Sequence, residues 1–137
     1  MRGKRRSIHT MTYRIYLTDD DRFLLDMYAV KFKNAGHDVT ACSGGEELLK
    51  TLKEKPAPDA ILLDIIMPGM DGFQVLEAIR KDKLVPPTTK VIVLSNQGQD
   101  SDIEKAKALG AAGYIVKASA IPSEVLTQTI NLIEGKS

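Results

Sequence analysis

Five side chains stand where a parallel sheet makes chemistry easiest. Asp19 and Asp20 follow the β-prone run 14–18 (RIYLT), and Asp64 follows the apolar run 60–63 (AILL). Ser95 closes the run 90–95 (KVIVLS), and Lys117 follows 114–116 (YIV). Short apolar runs of this kind suit strands buried on both faces, and the carboxyl ends of parallel strands border the ligand crevice of an open α/β sheet. A single acid such as Asp64 serves equally well as a turn cap ahead of Met67-Pro68-Gly69. The set at matching strand ends carries the argument, because it brings three carboxylates, one hydroxyl and one ammonium to one pocket. Clustered carboxylates repel, so one of them is expected to have a raised pKa unless a cation intervenes. Mg²⁺ favours oxygen ligands, takes one or two carboxylates directly and keeps positions open for a phosphoryl oxygen. Lys117 and Ser95 suit the same anion as charge and as hydrogen-bond donor. No His or Cys stands near these positions, which argues against zinc. The chemistry implied is transfer of a phosphoryl group to a carboxylate, giving an acyl phosphate.

The intervening stretches must position these groups. Residues 22–35 form a helical pattern with Leu24, Leu25, Tyr28 and Phe32 on one face and Phe23, Met27 and Val30 on its flank, ended by Gly36. Residues 37–42 alternate as an edge strand does, with His37 expected as a solvated loop residue rather than a metal ligand. Residues 46–55 form a second helix with Leu48, Leu49 and Leu52 inward and Ser43 as its candidate cap; its glycines lack the spacing of a phosphate loop. Residues 72–81 present Phe73, Val75, Leu76 and Ile79. A short helix over 101–109 has a thin apolar face, and Pro122 opens the last helix, with Val125, Leu126, Thr129, Ile130 and Ile133 as its stripe. The order βαβαβαβαβα with short connections predicts an α/β fold. It is a doubly wound, five-stranded parallel sheet of flavodoxin-like order 2-1-3-4-5 with helices on both faces.

At 137 residues, 43% of them apolar, the chain is long enough for one domain with a real core. Formal net charge is +1, while Arg2, Lys4, Arg5 and Arg6 cluster at the start and the remainder leans acidic. That balance argues against a nucleic-acid surface on the folded part. Residues 1–11 are basic, polar and aperiodic and read as a disordered leader ahead of a domain over 12–135, with Met11 an alternative start. Cys42 is the single cysteine; it reads as a core thiol and fits a reducing cytoplasm. No run has the length of a membrane span, and no secretory leader is evident.

The blocks TDDD (18–21), LLDIIMPGMDG (62–72), VIVLS (91–95) and GYIVK (113–117), with their spacing, make residues 12–134 resemble a receiver domain of two-component response regulators. The resemblance implies phosphorylation of Asp64 by a sensor histidine kinase or phosphotransfer protein. It implies direct binding of Mg²⁺ by Asp20, Asp64 and the Ile66 main-chain carbonyl, with Asp19 acting through water. It further implies that Lys117 bridges to the phosphoryl group and that Ser95 swings in to bond it. Tyr114 then turns inward and remodels the surface of the fourth helix, fifth strand and fifth helix for a downstream protein effector. On the residues alone, Tyr114 reads as a core aromatic.

Two positions depart from the family pattern. Asn96 stands where a small residue commonly follows the switch hydroxyl. Ala118 stands where Pro usually follows the lysine, so a trans Lys117–Ala118 bond or a rearranged loop is expected. Ile66 and Gln97 are expected, with Asn96, to tune the lifetime of the acyl phosphate. Three function classes follow. The first is a phospho-accepting switch, with no output domain expected because the sequence stops just after the fifth helix, and with dimerisation through the fourth and fifth helices as an option. The second is a metal-dependent phosphohydrolase, disfavoured because Ile66 stands where an acid/base residue is needed. The third is a degenerate receiver acting as a phosphorylation-independent interaction module.

Overall fold

Runs of β-branched and apolar residues alternate with amphipathic ones along the whole described chain. The computed structural model describes residues 11–136. Strands β1 (Arg14–Thr18), β2 (Asp38–Cys42), β3 (Ala60–Leu63), β4 (Lys90–Ser95) and β5 (Gly113–Val116) alternate with helices. The helices are α1 (Arg22–Asn34), α2 (Gly45–Glu54), α3 (Gly72–Lys81), α4 (Asp100–Ala108) and α5 (Pro122–Ile133). All four pairings are parallel, and the sheet order is β2-β1-β3-β4-β5. This is the flavodoxin-like order expected. Met11 is exposed, and the rest of the expected leader lies outside the described residues.

Period-two alternation distributes each strand between two cores. Ile15, Leu17, Leu62, Ile92 and Leu94 pack with Leu25, Phe32 and Val125, beneath α1 and α5. Tyr16, Ile61, Leu63 and Val93 face Leu48, Val75, Leu76 and Ala106, beneath α2, α3 and α4. Helix starts are fixed locally. The Asp21 carboxylate accepts from the Leu24 N–H at 3.1 Å and caps α1. Asp71 and Gln74 form a reciprocal capping box on α3, each contact 2.9 Å. At the start of α5 the Glu124 carboxylate accepts from the Ile121 N–H at 2.9 Å. Helix α1 stops at Gly36, whose φ of +96° suits a residue without a Cβ. Helix α4 is the most weakly embedded. Ala106 is its one buried residue, and the Lys105 ammonium lies 4.4 Å above the Phe73 ring of α3.

Two local expectations are corrected. Ser43 does not cap α2: Gly44 holds the cap position without a side-chain bond, and the Ser43 N–H and hydroxyl donate to Glu47 Oε1 at 2.7 and 2.9 Å. A carboxylate in the first turn thus reaches back to the loop, reversing the expected direction. His37 lies in the loop after α1 as expected but is not solvated there. Its Nδ1 accepts from the Tyr13 N–H at 3.1 Å and its ring stacks on Tyr13, so a half-buried imidazole closes the entry to β1. Leu49 is half-buried and packs against the core as expected, while on the flank of α1 Phe23 and Val30 are exposed.

Candidate functional site

The strand register places the ends of β1, β3 and β4 side by side. Thr18 pairs with Leu63 and Ser95 with Val116, so the residues that follow β1, β3 and β5 emerge at one rim. Asp19, Asp20, Asp64, Ile66, Ser95, Asn96, Gln97 and Lys117 all line one cleft of about 460 Å³ there. Of the sequence-selected residues only Tyr114 stays outside it. Its hydroxyl donates to the Gln97 carbonyl oxygen, which makes Gln97 its link to the cleft.

Asp19 and Asp64 are buried and Asp20 is exposed, yet each offers an oxygen within 4.8 Å of the others. Lys117 donates to Asp19 Oδ2 at 2.6 Å and more weakly to Asp64 Oδ2 at 3.4 Å. The ammonium is therefore seated mainly on Asp19, leaving Asp64 the looser partner. Backbone donors fix the remaining oxygens: the Asp21 N–H donates to Asp19 Oδ1 at 2.9 Å and the Ile65 N–H to Asp64 Oδ1 at 2.8 Å. One Asp64 oxygen is thereby tied to the main chain while the other faces the cation.

The electrostatics follow from burial. Loss of solvation pushes the Asp64 carboxyl above the usual range; Lys117 and the Ile65 N–H oppose this, and the neighbouring charge of Asp19 adds to it. Repulsion alone was expected to raise one carboxyl, and desolvation proves the larger cause. Burial acts to lower the Lys117 ammonium, but the Asp19 bond and both carboxylates outweigh it and the net direction is up. The Tyr114 phenol is raised, chiefly by burial and then by the charge of Asp102.

Ser95 is fully buried, with its hydroxyl accepting from the Gln97 N–H at 3.2 Å. Asn96 and Ile66 are exposed at the rim. Among the described residues every peptide bond is trans, Lys117–Ala118 included, and Lys117–Ser119 forms a 3-10 turn. The trans bond is the first of the outcomes expected of Ala118.

Two contributors were not singled out from the sequence. Asp21 caps α1 and supplies the N–H that orients Asp19; its signal was an acid directly before an amphipathic run. Gly72 packs under the Asp64 loop, donating its N–H to the Ile65 carbonyl at 2.8 Å. A Cβ on Gly72 would lie 2.8 Å from the Ile65 Cα and closer still to the Asp64 carbonyl oxygen. Sequence alone shows a turn glycine there and not the close approach that demands one.

Three oxygen donors of the acidic trio suit a hard divalent cation. Three carboxylates against one ammonium also leave two negative charges for such an ion to neutralise.

Comparisons with known proteins show the family and the fold. Residues 15–131 match the sequence profile of the family described as "Response regulator receiver domain". The chain is 34% identical over 103 residues to the transcriptional regulatory protein AfsQ1 of Streptomyces coelicolor, covering 75% of this chain and 44% of that one. It is 32% identical over 115 residues to the alkaline phosphatase synthesis transcriptional regulatory protein PhoP of Bacillus subtilis, covering 84% and 46%. The Francisella response regulator 1452 receiver domain superposes with a TM-score of 0.81 at 25% identity, covering 90% of this chain and 98% of that one. The protein belongs to the response regulator receiver family. It spans about half the length of the curated relatives it matches. Among the described residues no helix is long and apolar enough to cross a membrane.

Proposed function

We propose that the protein is a phospho-accepting signalling switch modified on Asp64. The observation that carries this is the convergence of three carboxylates and one ammonium in an open cleft, with one Asp64 oxygen fixed by the main chain and the other facing the cation. The phosphoryl donor is a phosphohistidine on a sensor kinase or phosphotransfer protein. Asp64 Oδ2 attacks phosphorus, the P–N bond breaks with its electron pair passing to the imidazole nitrogen, and Asp64 is left as an acyl phosphate. Asp20, Asp64 and the Ile66 main-chain carbonyl would hold Mg²⁺, with Asp19 acting through water. The ion supplies charge neutralisation between the entering phosphoryl oxygens and the carboxylates.

This chain's own groups then read the product. Lys117 shifts from Asp19 toward the new anion, and the Ser95 hydroxyl gives up the Gln97 N–H to donate to it. Phosphorylation adds roughly −1.5 to −2 charge and three strong acceptors, which pull on two different strands. Because Gln97 accepts from Tyr114, release of the 95–97 segment frees the phenol and alters the surface of α4, β5 and α5 for a protein effector. Moving such an equilibrium from 1:99 to 99:1 takes about 5.5 kcal/mol, which a few charge-assisted hydrogen bonds supply. Reversal is slow self-hydrolysis, governed by how Ile66, Asn96 and Gln97 screen water. The exposed residue two positions past Asp64 is Ile66, whose side chain offers no acid/base group, and this counts against a turnover phosphohydrolase.

The test is to incubate the protein with a small phosphodonor and Mg²⁺ and to follow intact mass. A single phosphate-sized gain in wild type and none in Asp64→Asn is expected. Equal gain in both overturns the assignment of the acceptor.

A further inference from the structure

The sheet edge opposite the carboxylates carries a row of three side chains that joins the entry of β1 to the end of α5. The Tyr13 main chain is held on both sides: its N–H donates to His37 Nδ1 at 3.1 Å, and its carbonyl accepts from the Asp38 N–H at 2.9 Å. The Tyr13 ring stacks on the imidazole, with centroids 5.6 Å apart and planes at 26°. Its hydroxyl crosses to Glu134, the residue that closes α5, and donates to Oε2 at 2.6 Å. All three side chains line one cavity of about 270 Å³, with Leu126, Ile130 and Asn131 of α5 on its far wall.

The last turn of α5 has little else to hold it. Val125 and Thr129 are the buried residues of the helix, whereas Ile130, Leu132 and Ile133 are half-buried. Among the described residues the Tyr13–Glu134 bond is the one hydrogen bond that ties α5 to the rest of the fold.

Only one member of the row changes state as pH falls from neutral. In an imidazolium both ring nitrogens are donors, so a protonated His37 cannot accept the Tyr13 N–H. Burial lowers the His37 pKa below its ordinary value, which keeps the ring an acceptor at neutral pH. The other two hold their charge. The Glu134 bond, then burial, pushes the Tyr13 phenol up to about 12, and the Tyr13 and Lys136 bonds hold Glu134 below the usual carboxylate range. The remaining charges around the ring are paired or exposed. Asp38 pairs with Arg14 at 3.7 Å, Lys136 with Glu134 at 3.1 Å, and Lys33 of α1 is exposed.

We propose that these three residues form an acid-sensitive latch, in which protonation of His37 frees Tyr13 and, through its hydroxyl, the last turn of α5. The Tyr13 N–H then faces a donor instead of an acceptor, the stacked rings separate, and the phenol no longer holds Glu134. The latch is closed above the ordinary histidine range and opens as pH falls through the folded-state value. It acts from the sheet edge opposite the Asp64 cleft and is independent of the reading of Asp64.

The test follows amide shifts of the full chain, ¹⁵N-labelled, from pH 7.5 to 5. The amides of Tyr13, Leu132, Ile133 and Glu134 are expected to move with the midpoint of the His37 ring, below about 6.5. Tyr13→Phe keeps the N–H and the ring but not the hydroxyl. Residue 13 should still follow His37 in that variant, while the response at 132–134 is lost. His37→Gln should abolish the response at both places, and Asp64→Asn should titrate as wild type does. A midpoint at 132–134 that lies in the carboxylate range and persists in His37→Gln would mean that Glu134 itself titrates, which overturns the proposal. So would a response at 132–134 that survives Tyr13→Phe, or none in wild type.

Discussion

At the scale of single residues, the ammonium of Lys117 decides how much negative charge the cleft carries. With Lys117→Met, three carboxylates face each other without a resident cation, and a divalent ion becomes the only neutraliser. Calorimetric titration is expected to show Mg²⁺ binding the variant several-fold more tightly than wild type, while phosphorylation no longer propagates to α4. Weaker Mg²⁺ binding would mean that Lys117 orders the ligands more than it competes with the ion. Asp64 and Lys117 were legible because each interrupts an apolar run at a strand end. His37 was not, because its partner is the Tyr13 N–H, 24 positions away. Burial lowers its pKa, and its acceptor nitrogen must stay unprotonated to serve β1. The depressed folded-state pKa means that this contribution is whole above about 6.5 and is lost as pH falls through the folded value. The urea-midpoint advantage of wild type over His37→Gln should therefore shrink between pH 7.5 and 5. A constant gap would sink that account.

Among the elements, α3 and α4 differ most in how firmly they are held. Helix α3 begins with a capping box and a glycine pressed against the Asp64 loop. Gly72→Ala should cost about 1–3 kcal/mol, as overpacking does, and should slow phosphorylation by displacing Asp64. Denaturant unfolding and the intact-mass assay check the two effects separately. Helix α4 has one buried residue and a surface cation–π contact, so its amides should exchange with solvent faster than those of α3. Phe73→Leu, which removes the ring beneath Lys105, should widen that difference without moving the sheet. The thin apolar face of 101–109 was readable in the sequence. The Phe73–Lys105 contact was not, since neither position is unusual until the two helices stand side by side. The exchange of Ser43 for Glu47 at α2 was hidden for a related reason: both types are ordinary at a helix start, and only loop geometry selects the direction.

For the molecule as a whole, strand order and layer assignment were legible because buried parallel strands announce themselves as short apolar runs. Period-two alternation within them divides one sheet between two cores. What the pattern could not supply was the angle at which side chains meet at the rim, notably that Lys117 prefers Asp19 to Asp64. On the proposed reading, the rim also sets how water reaches the acyl phosphate. Ile66→Glu is expected to change the dephosphorylation rate of phosphorylated protein several-fold, by the scale of general acid–base effects, without altering the urea midpoint. An unchanged rate would remove Ile66 from the tuning set. One further consequence lies in where the ammonium comes from. Lys117 enters from β5, the final strand of the sheet to leave the ribosome, whereas Asp19, Asp20 and Asp64 are synthesised earlier. A growing chain thus assembles its anionic half before it owns the opposing charge. On the proposed reading of Asp64, competence to receive a phosphoryl group follows completion of the sheet, because the ammonium arrives with its last strand.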